Sequence, residues 1–196
     1  MEERRVLLKT ITRYHSLEQF LDLIKQNSIF VGDELVTEDT DGKAIFQVAD
    51  VRKKSIIMVR KFCLADDKRM KTDSFDLMSW LQSDYLITLP EDLRKHIKRR
   101  EGLSIFLPRE VEVFGDYLYS NDIEKGKQWA IFKKTKQRIR LRSGKEGPAC
   151  GWWESSPHVG ASTHFCLVGS GGSAYGYGGA SGAYGVLPCF RIAPSA

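Results

Sequence analysis

Residues 151–168 read GWWESSPHVGASTHFCLV, and a sharp change in composition begins within this stretch. Lys, Glu, Gln, Met and Trp together account for 42 of the first 154 residues but for none of the last 42. At the earlier rate about 11 would be expected there, and chance would remove them all on the order of once in a million sequences. None of these five amino acids has a codon that ends in a pyrimidine. The segment from Ser155 onward is therefore distinct from the rest of the chain.

This tail is predicted to fold. Gly- and Ser-rich composition normally favours a flexible, low-complexity segment. However, two apolar runs, FCLV at 165–168 and VLPCFRI at 186–192, are typical of strands that enter a core. We therefore expect two buried strands joined by long loops.

Tyrosines are concentrated between the two runs, in SAYGYGGASGAYG at 173–185. Tyr offers a large, rigid contact area at low entropic cost, while Gly and Ser supply adaptable geometry, and antibody loops use this mixture. Candidate ligand contacts are therefore Tyr175, Tyr177, Tyr184, His158 and His164. The alternative is that the Tyr rings pack into the protein's own core, and for Tyr184 the two interpretations are equally supported.

The upstream chain predicts a scaffold of helices and antiparallel strands. In chain order we expect first an amphipathic helix after the N-cap Ser16, and then a hairpin that turns at Asp41 and Gly42. A third strand is expected within 54–64. Two short helices are expected within 73–100, with a break between them near Leu89 and Pro90. Together with the tail, these elements predict an α+β fold with mixed or antiparallel sheets, two or more helices and long C-terminal loops.

The formal net charge is +5, and basic residues cluster at 94–100 and 133–145. The first cluster is predicted to end a helix, where cations favour the negative end of the dipole. In the second, aliphatic residues alternate with Arg138, Arg140 and Arg142, which predicts a strand with one apolar and one cationic face. Both clusters have these ordinary structural interpretations. The alternative function that they offer is a nucleic-acid-binding module.

The run GWWESSP, followed by FCLV, a Gly-rich loop and YGVLPCFRI, resembles a bacterial and phage domain family whose signature is close to WWLRSP…F-x-x-V-x-x-x-G…G-V-x-P-x-F. Upstream segments such as IFLPREVEVFG fit as well, so the resemblance extends from about Phe20 to the end. The family is similar to the variable proteins of diversity-generating retroelements, which have a C-type lectin fold and a hypervariable C-terminal surface. Adenine-directed mutagenesis of AAC and AAT codons keeps the pyrimidine, which would account for the missing amino acids.

The resemblance implies a single C-type lectin-like domain over 1–196, with an N-terminal strand and helix extension at 1–28 and a variable ligand-binding region at 151–196. It implies scaffold roles for Trp152, Trp153, Pro157, Phe165, Val168, Gly172, Gly185, Val186, Pro188, Phe190 and Ile192. It implies ligand-binding, variable roles for Ser155, His158, Val159, Thr163, His164, Leu167, Gly169, Tyr175, Tyr177 and Tyr184. Glu154 and Ser155 replace the Leu and Arg of the signature. Since Glu has no pyrimidine-ending codon, position 154 is expected to lie outside the varied set.

No cofactor, metal site or catalytic residue is predicted. The cysteines, at Cys63, Cys150, Cys166 and Cys189, lack metal-ligand spacing and are expected to be reduced and mostly packed as apolar groups. The tail after Glu154 has no acidic side chain for Ca²⁺, so calcium dependence is not expected. The predicted function is non-enzymatic ligand binding. An oxidase resembling formylglycine-generating enzymes, with Cys166 or Cys189 reactive or with a Cys166 and His164 pair, remains the enzymatic alternative.

The predicted partner is a protein or surface ligand, reached without membrane insertion. The first fifteen residues lack the long apolar core of a secretory signal, and no segment approaches the ~20 apolar residues that span a bilayer. We expect cytoplasmic synthesis without a signal peptide, and association with the virion if a phage encodes the protein.

Overall fold

Helices and several β-sheets combine in an α+β architecture, as predicted. The computed structural model describes residues 14–53, 55–123, 125–143 and 148–193. The strands are β1 (Tyr14–His15), β2 (Glu34–Asp39), β3 (Gly42–Arg52), β4 (Ser55–Arg60), β5 (Lys68–Arg69), β6 (Lys71–Thr72), β7 (Phe75–Asp76), β8 (Ile105–Phe106), β9 (Trp152–Pro157), β10 (His164–Val168), β11 (Ala174–Gly179), β12 (Ala183–Tyr184) and β13 (Cys189–Ile192). The α-helices are α1 (Leu17–Lys25), α2 (Leu77–Trp80), α3 (Glu91–His96) and α4 (Glu110–Phe114).

Helix α1 begins at the predicted N-cap. The backbone N–H of Gln19 donates to Ser16 Oγ at 3.4 Å, and the backbone N–H of Ser16 donates to Gln19 Oε1 at 3.0 Å. This reciprocal pair satisfies two backbone donors that a helix start leaves free. Phe20 and Ile24, four residues apart, are buried and fix the helix against the sheet core.

Strands β2 and β3 form the predicted hairpin, and β4 is the predicted third strand. Asp39 pairs with Gly42 across the tight turn, and Gly42 has a φ of +83°, a conformation that glycine adopts without a Cβ clash. The predicted pair of short helices is also present. Helix α2 continues into a π turn (Leu81–Tyr85) and a 3₁₀ turn (Leu86–Thr88), and the chain is extended at Leu89 before α3 begins.

The larger sheet joins strands from both halves of the chain, in the order β1-β2-β3-β4-β13-β8. Strand β13 lies antiparallel to both β4 and β8, with Phe190 opposite Met58 and Ile105. The first two strands are parallel to each other, so this sheet is mixed. The second apolar run of the tail is therefore a central strand of the scaffold.

A separate three-stranded antiparallel sheet, ordered β11-β10-β9, carries most of the tail. Strand β10 contains the first apolar run, as predicted. The expectation of a long loop across 173–185 is wrong in part, because residues 174–179 form the edge strand β11. Alternating Tyr and Gly lets this segment pair with β10, since Gly supplies the positions where neighbouring side chains approach closely.

Two apolar cores contact this small sheet. Trp153 and Leu167 belong to the core that also contains Phe20 and Phe190. Trp152 and Val168 belong to the core that contains Trp129 and Phe132. Because adjacent residues of a strand point to opposite faces, the Trp pair anchors β9 in both cores at once.

A buried polar network fixes the hairpin to the scaffold. The Arg60 guanidinium donates to both carboxylate oxygens of Asp39, at 2.7 and 3.0 Å, and to Asp41 Oδ2 at 2.9 Å. Tyr85 Oη donates to Asp39 Oδ2 at 2.7 Å. The Arg60 and Asp39 side chains are 1% and 0% exposed. The network joins β2, β4 and the π turn.

The prediction of a strand at 138–142 with outward-facing arginines is wrong. Arg140 is buried, whereas Ile139 and Leu141 are 41% and 37% exposed. The segment makes only isolated bridges, one from Arg140 to Cys150 and one from Arg142 to Cys63. Arginine and aliphatic residues do alternate in exposure, but the aliphatic side chains face solvent and the arginines do not. The reason is that each arginine donates hydrogen bonds to acceptors of the protein.

Among the described residues, no helix combines the length and the apolar character that a bilayer crossing requires. The first 13 residues of the predicted N-terminal extension lie outside the described residues, as do positions 144–147, at the end of the 133–145 basic cluster, and 194–196.

Candidate ligand-binding surface

Strand β11 presents its tyrosines outward. Tyr175 and Tyr177 are 49% and 61% exposed, whereas Gly176 and Gly178 between and after them are buried. A Cβ built on Gly178 would lie 2.7 Å from Trp153 Cζ3, and one on Gly176 would lie 2.5 Å from the Tyr119 ring. Both contacts are closer than side-chain atoms tolerate. The Gly positions are therefore dictated by packing, while the Tyr positions are free to face solvent.

Two histidines extend this surface. The His158 ring lies 4.9 Å from the Tyr177 ring centroid, and the His164 ring lies edge-on to Tyr177 at 6.1 Å. The Tyr119 ring also stacks on His158, with the ring centroids 6.2 Å apart. We call these five residues, including Tyr175, the aromatic face. The structure thus brings together four of the sequence-predicted contacts.

Tyr119 is a member of the face that the sequence did not indicate. Its backbone N–H donates to the Glu110 carboxylate at 3.0 Å, and its carbonyl accepts from Val159 N at 2.9 Å. The ring is thus held between α4 and the loop after β9. No local sequence pattern around residue 119 distinguishes it, because Tyr119 is brought next to the tail only by the tertiary fold.

A depression of about 540 Å³ adjoins the face. Its wall includes Thr163 and His164, and its other lining residues are Lys71, Thr72, Asp73, Gly179, Ala180 and Ser181. The Thr163 hydroxyl and His164 Nδ1 lie 3.1 Å apart, so each restrains the other's orientation. A ligand on the aromatic face could therefore also reach polar groups on β6 and at the end of β11.

The remaining predicted contacts divide between surface and interior. Val159 and Thr163 are exposed, and Gly169 lies in the turn that its backbone N–H closes by donating to the Ser173 carbonyl at 2.8 Å. Ser155 is part-buried, and its backbone N–H donates to the Pro108 carbonyl at 2.9 Å. Of these four residues, Val159 and Thr163 lie in the loop that joins His158 to His164.

Two positions are corrected by burial. Leu167 is 2% exposed and lies beneath β11, where a Cβ at Gly178 would meet its Cγ at 2.8 Å. It is part of the core and cannot contact a ligand on the surface. The Tyr184 ring packs edge-on against Trp153 at 4.8 Å and is part-buried, which favours the core interpretation for this residue.

The interior below the face holds most of the residues assigned to the scaffold, whereas Pro157 at the end of β9 is exposed. The indole N–H of Trp152 donates to the Arg138 carbonyl at 2.9 Å, and that of Trp153 donates to the Lys68 carbonyl at 2.7 Å. Both rings are fully buried. Gly185 leaves no room for a side chain, because a Cβ would lie 2.9 Å from Cys63 Sγ. Phe165 is part-buried, whereas Pro188 and Phe190 are buried.

The segment that carries this surface is also the one that matches a known family. Residues 102–194 match the model of a domain of unknown function, DUF6273. The match covers slightly under half of the chain. No curated protein and no solved structure matches the chain. The similarity spans β8 to β13, so it contains the small sheet and its exposed face but assigns neither an activity.

The DUF6273-like segment also contains a buried acidic group. Ligand atoms of Glu110, Glu154 and Cys166 all lie within 4.8 Å of one another. Carboxylate and thiolate groups are ligands that a transition metal accepts. However, the Glu110 carboxylate already accepts from the backbone N–H and the hydroxyl of Ser120, at 2.8 and 2.7 Å, which makes it a fixed part of the 119–120 loop. Glu154 is fully buried beside Glu110 and Cys166.

The predicted nucleophilic pair is divided between interior and surface. Cys166 is fully buried beside the two glutamates, whereas His164 is part-exposed and lies against Tyr177. All four cysteines are free and buried. A substrate would have to displace core side chains to reach the Cys166 or Cys189 thiol, both of which are 0% exposed.

Ellman's reagent is expected to leave Cys166 and Cys189 unreacted in the native protein. Both are fully buried, and burial raises the pKa of the Cys189 thiol well above its usual range. Cys150 should react first, because a hydrogen bond from the Cys63 thiol lowers its pKa to about 7, with burial opposing and Arg142 assisting. Mass spectrometry after brief exposure identifies the modified site. Rapid modification of Cys166 or Cys189 would instead favour the enzymatic alternative.

The arginines of the second basic cluster hydrogen-bond to groups of the protein itself. Arg138 donates to the Gly172 carbonyl at 3.0 Å, and Arg140 donates to the Lys61 carbonyl at 2.8 Å. Arg142 forms a two-point ion pair with Asp67, at 2.9 and 2.6 Å. Each of the three guanidinium groups therefore donates to at least one protein acceptor, and Arg140 is buried, so the three arginines do not line up as a row of free guanidinium groups for phosphates.

Proposed function

We propose that the protein is a non-enzymatic ligand-binding protein that uses the aromatic face and its flanking loops as a diversified binding surface. The observation that carries this proposal is that Tyr175 and Tyr177 are exposed on a packed strand, beside His158 and His164. Exposed aromatic side chains on a rigid support bind with little loss of conformational freedom, and such residues dominate many interfaces.

The construction of the small sheet supports tolerance to change. The backbone of β11 is held by pairing with β10, and its buried positions are occupied by Gly. The side chains that give the sheet its stability, such as Trp153 and Leu167, lie in the core. Substitution of the exposed residues therefore leaves the packing that defines the sheet unchanged.

The composition of the tail supports diversification of this same surface. The last Lys, Glu, Gln, Met or Trp of the chain is Glu154, which lies in β9 directly after the buried pair Trp152 and Trp153. The residues of the aromatic face that belong to the tail are His and Tyr, whose codons end in a pyrimidine. This is the pattern expected of a retroelement variable protein, the family to which the sequence shows a resemblance.

The proposed fold class is C-type lectin-like. Two features support it. The last strand, β13, pairs with the early strand β4 in the larger sheet, so that both halves of the chain contribute to the scaffold. The ligand-facing segments lie on a second, smaller sheet reached by long connections.

The proposal is tested by comparing two variants. Changing His158, His164, Tyr175 and Tyr177 together to Ala should lower the free energy of unfolding by only about 1–2 kcal/mol, since none of the four is buried and the losses are surface ring contacts and two hydrogen bonds at the exposed 158–164 loop. Changing Leu167 alone to Ala should lower it by about 2–5 kcal/mol, because a buried side chain is removed. Urea unfolding followed by Trp fluorescence measures both.

A larger loss in the quadruple variant than in Leu167→Ala would show that the aromatic residues are core and would overturn the proposal. Diversification itself is tested by sequencing the DNA beside the gene. We expect a near-copy of the last ~130 bases, differing at adenines, next to a reverse transcriptase gene.

A further inference from the structure

A second cavity, of about 590 Å³, lies among the larger sheet, α4 and the 125–127 loop. It shares no lining residue with the aromatic face. Six of its lining side chains are cationic and two are acidic, and the lining comprises Arg52, Ile57, Arg99, Arg100, Glu101, Glu112, Lys125, Gly126, Lys127 and Arg191. We call it the cationic pocket.

The acidic residues of the pocket are already neutralised. Glu112 pairs with Arg100 at 2.8 Å, and Glu101 pairs with Arg109. Arg52 pairs in turn with Asp50 at 3.0 Å. Each carboxylate therefore has its own guanidinium partner.

Four cations of the pocket have no partner carboxylate within the part of the chain that the structure describes. Among the described residues, no carboxylate oxygen lies within 4.0 Å of the charged nitrogens of Arg99, Lys125, Lys127 or Arg191. Like charges gathered around one cavity raise the local potential and repel one another. An anion in the cavity would relieve this repulsion.

Two of the pocket's guanidinium groups are held in position. Arg191 lies on β13 opposite Ile57, which is buried and forms the apolar part of the wall. Arg191 Nη2 donates to the Arg99 carbonyl, whereas Arg191 Nε has no acceptor among the described residues. Arg100 is fixed by Glu112 and by the Phe106 ring, whose centroid lies 4.8 Å from the guanidinium carbon. Pre-positioned guanidinium forks match phosphate oxygens.

We propose that the cationic pocket binds a small organic anion carrying two or more phosphate groups. The volume falls within the range of about 300–1,000 Å³ that small-molecule sites occupy. A single phosphate would neutralise only part of the unpaired charge, whereas a di- or triphosphate matches four cations around one cavity. A long nucleic acid fits less well, because Arg138, Arg140 and Arg142 of the second basic cluster each donate to protein acceptors and do not extend the row of unpaired cations.

The proposal is independent of the aromatic face and would add a second ligand to the protein. It gives the 94–100 basic cluster a defined role, because Arg99 and Arg100 of that cluster line the pocket.

Calorimetric titration of the full chain with inorganic triphosphate is the direct test. At about 25 mM NaCl, where charges are screened only beyond about 20 Å, we expect one saturable site. Affinity should fall about tenfold or more from triphosphate to monophosphate. The reason is that the free energy of each lost charge-assisted hydrogen bond exceeds the free energy of a tenfold change in the dissociation constant. Adenosine triphosphate is titrated in parallel, and tighter binding than inorganic triphosphate would identify the organic part as a further determinant.

The matched variants separate the pocket from diffuse charge. Arg99→Gln with Lys127→Gln removes two exposed, unpaired pocket cations and should weaken triphosphate binding about tenfold or more. Lys133→Gln with Lys134→Gln removes the same charge from exposed positions outside the pocket and should change affinity less than about twofold. Equal losses in both variants, no saturable binding, or preferential binding of a 20-nucleotide single strand over triphosphate would each overturn the proposal.

Discussion

Asp39→Asn is expected to lower the free energy of unfolding by about 3–5 kcal/mol, the usual consequence of removing one partner from a buried ion pair. The Asp39 carboxylate accepts from the Arg60 guanidinium at 2.7 and 3.0 Å and from Tyr85 Oη at 2.7 Å. The variant keeps the shape of the side chain but leaves the fully buried Arg60 with less compensating charge. Denaturant unfolding at neutral pH measures the loss.

Two controls show whether the effect comes from the buried network. Glu38→Gln removes a charge from the neighbouring, exposed position of β2 and should change stability by less than about 0.5 kcal/mol. Tyr85→Phe removes one hydrogen bond to the carboxylate and should lose about 1.5–3 kcal/mol. Burial, followed by the charge of Asp39, raises the pKa of Tyr85 well above its usual range, so the phenol stays a donor. Equal effects of Asp39→Asn and Glu38→Gln would contradict the assigned role of the network.

Gly178→Ala is expected to destabilise the protein by about 1–3 kcal/mol, which corresponds to about 2–12 °C in melting temperature for a chain of this size. The added methyl group would lie 2.7 Å from Trp153 Cζ3 and 2.8 Å from Leu167 Cγ. Neither side chain has room to retreat, because both are buried and the Trp153 indole N–H is bonded to the Lys68 carbonyl. Differential scanning calorimetry gives the shift.

The adjacent residue supplies the matched control. A Cβ on Gly179 meets no atom within 4 Å, so Gly179→Ala in the same strand should have little effect. Tyr177→Ala, one residue to the other side, should also be mild, since 61% of Tyr177 is exposed. If Gly178→Ala destabilised the protein as little as these two variants, β11 would not pack against Trp153 through Gly178. The inference that Tyr175 and Tyr177 face solvent would then lose its basis.

Local sequence patterns predicted much of the scaffold. The cap at Ser16, the hairpin turn and the break at Leu89 depend on neighbouring residues. The cap and the break occur where expected, and the turn lies at residues 40–41, one position before the predicted Asp41 and Gly42. The two apolar runs of the tail are β10 and β13, because a run of that kind is stable only when a core covers it. For the candidate surface, four of the five aromatic-face residues were indicated by composition alone.

Predictions failed where a distant segment decides what a residue contacts. The arginines at 138–142 turn inward because carbonyls and Asp67, far away in sequence, accept their hydrogen bonds. Leu167 is in the core because Trp153 and β11 cover it. Tyr119 reaches the aromatic face through the hydrogen bonds that join it to Glu110 and Val159.

The sequence by itself determined the α+β class, the places where helices and turns begin, and the tail's depletion in five amino acids. These properties depend on local backbone preferences, on apolar periodicity and on codon composition, none of which requires knowledge of the fold. Only the tertiary structure decided which tyrosines are exposed, which arginines are engaged inside the protein and which gather around the cationic pocket. The physical reason is that burial and charge pairing depend on side chains brought together from distant segments, and a one-residue change of register exchanges the two faces of a strand.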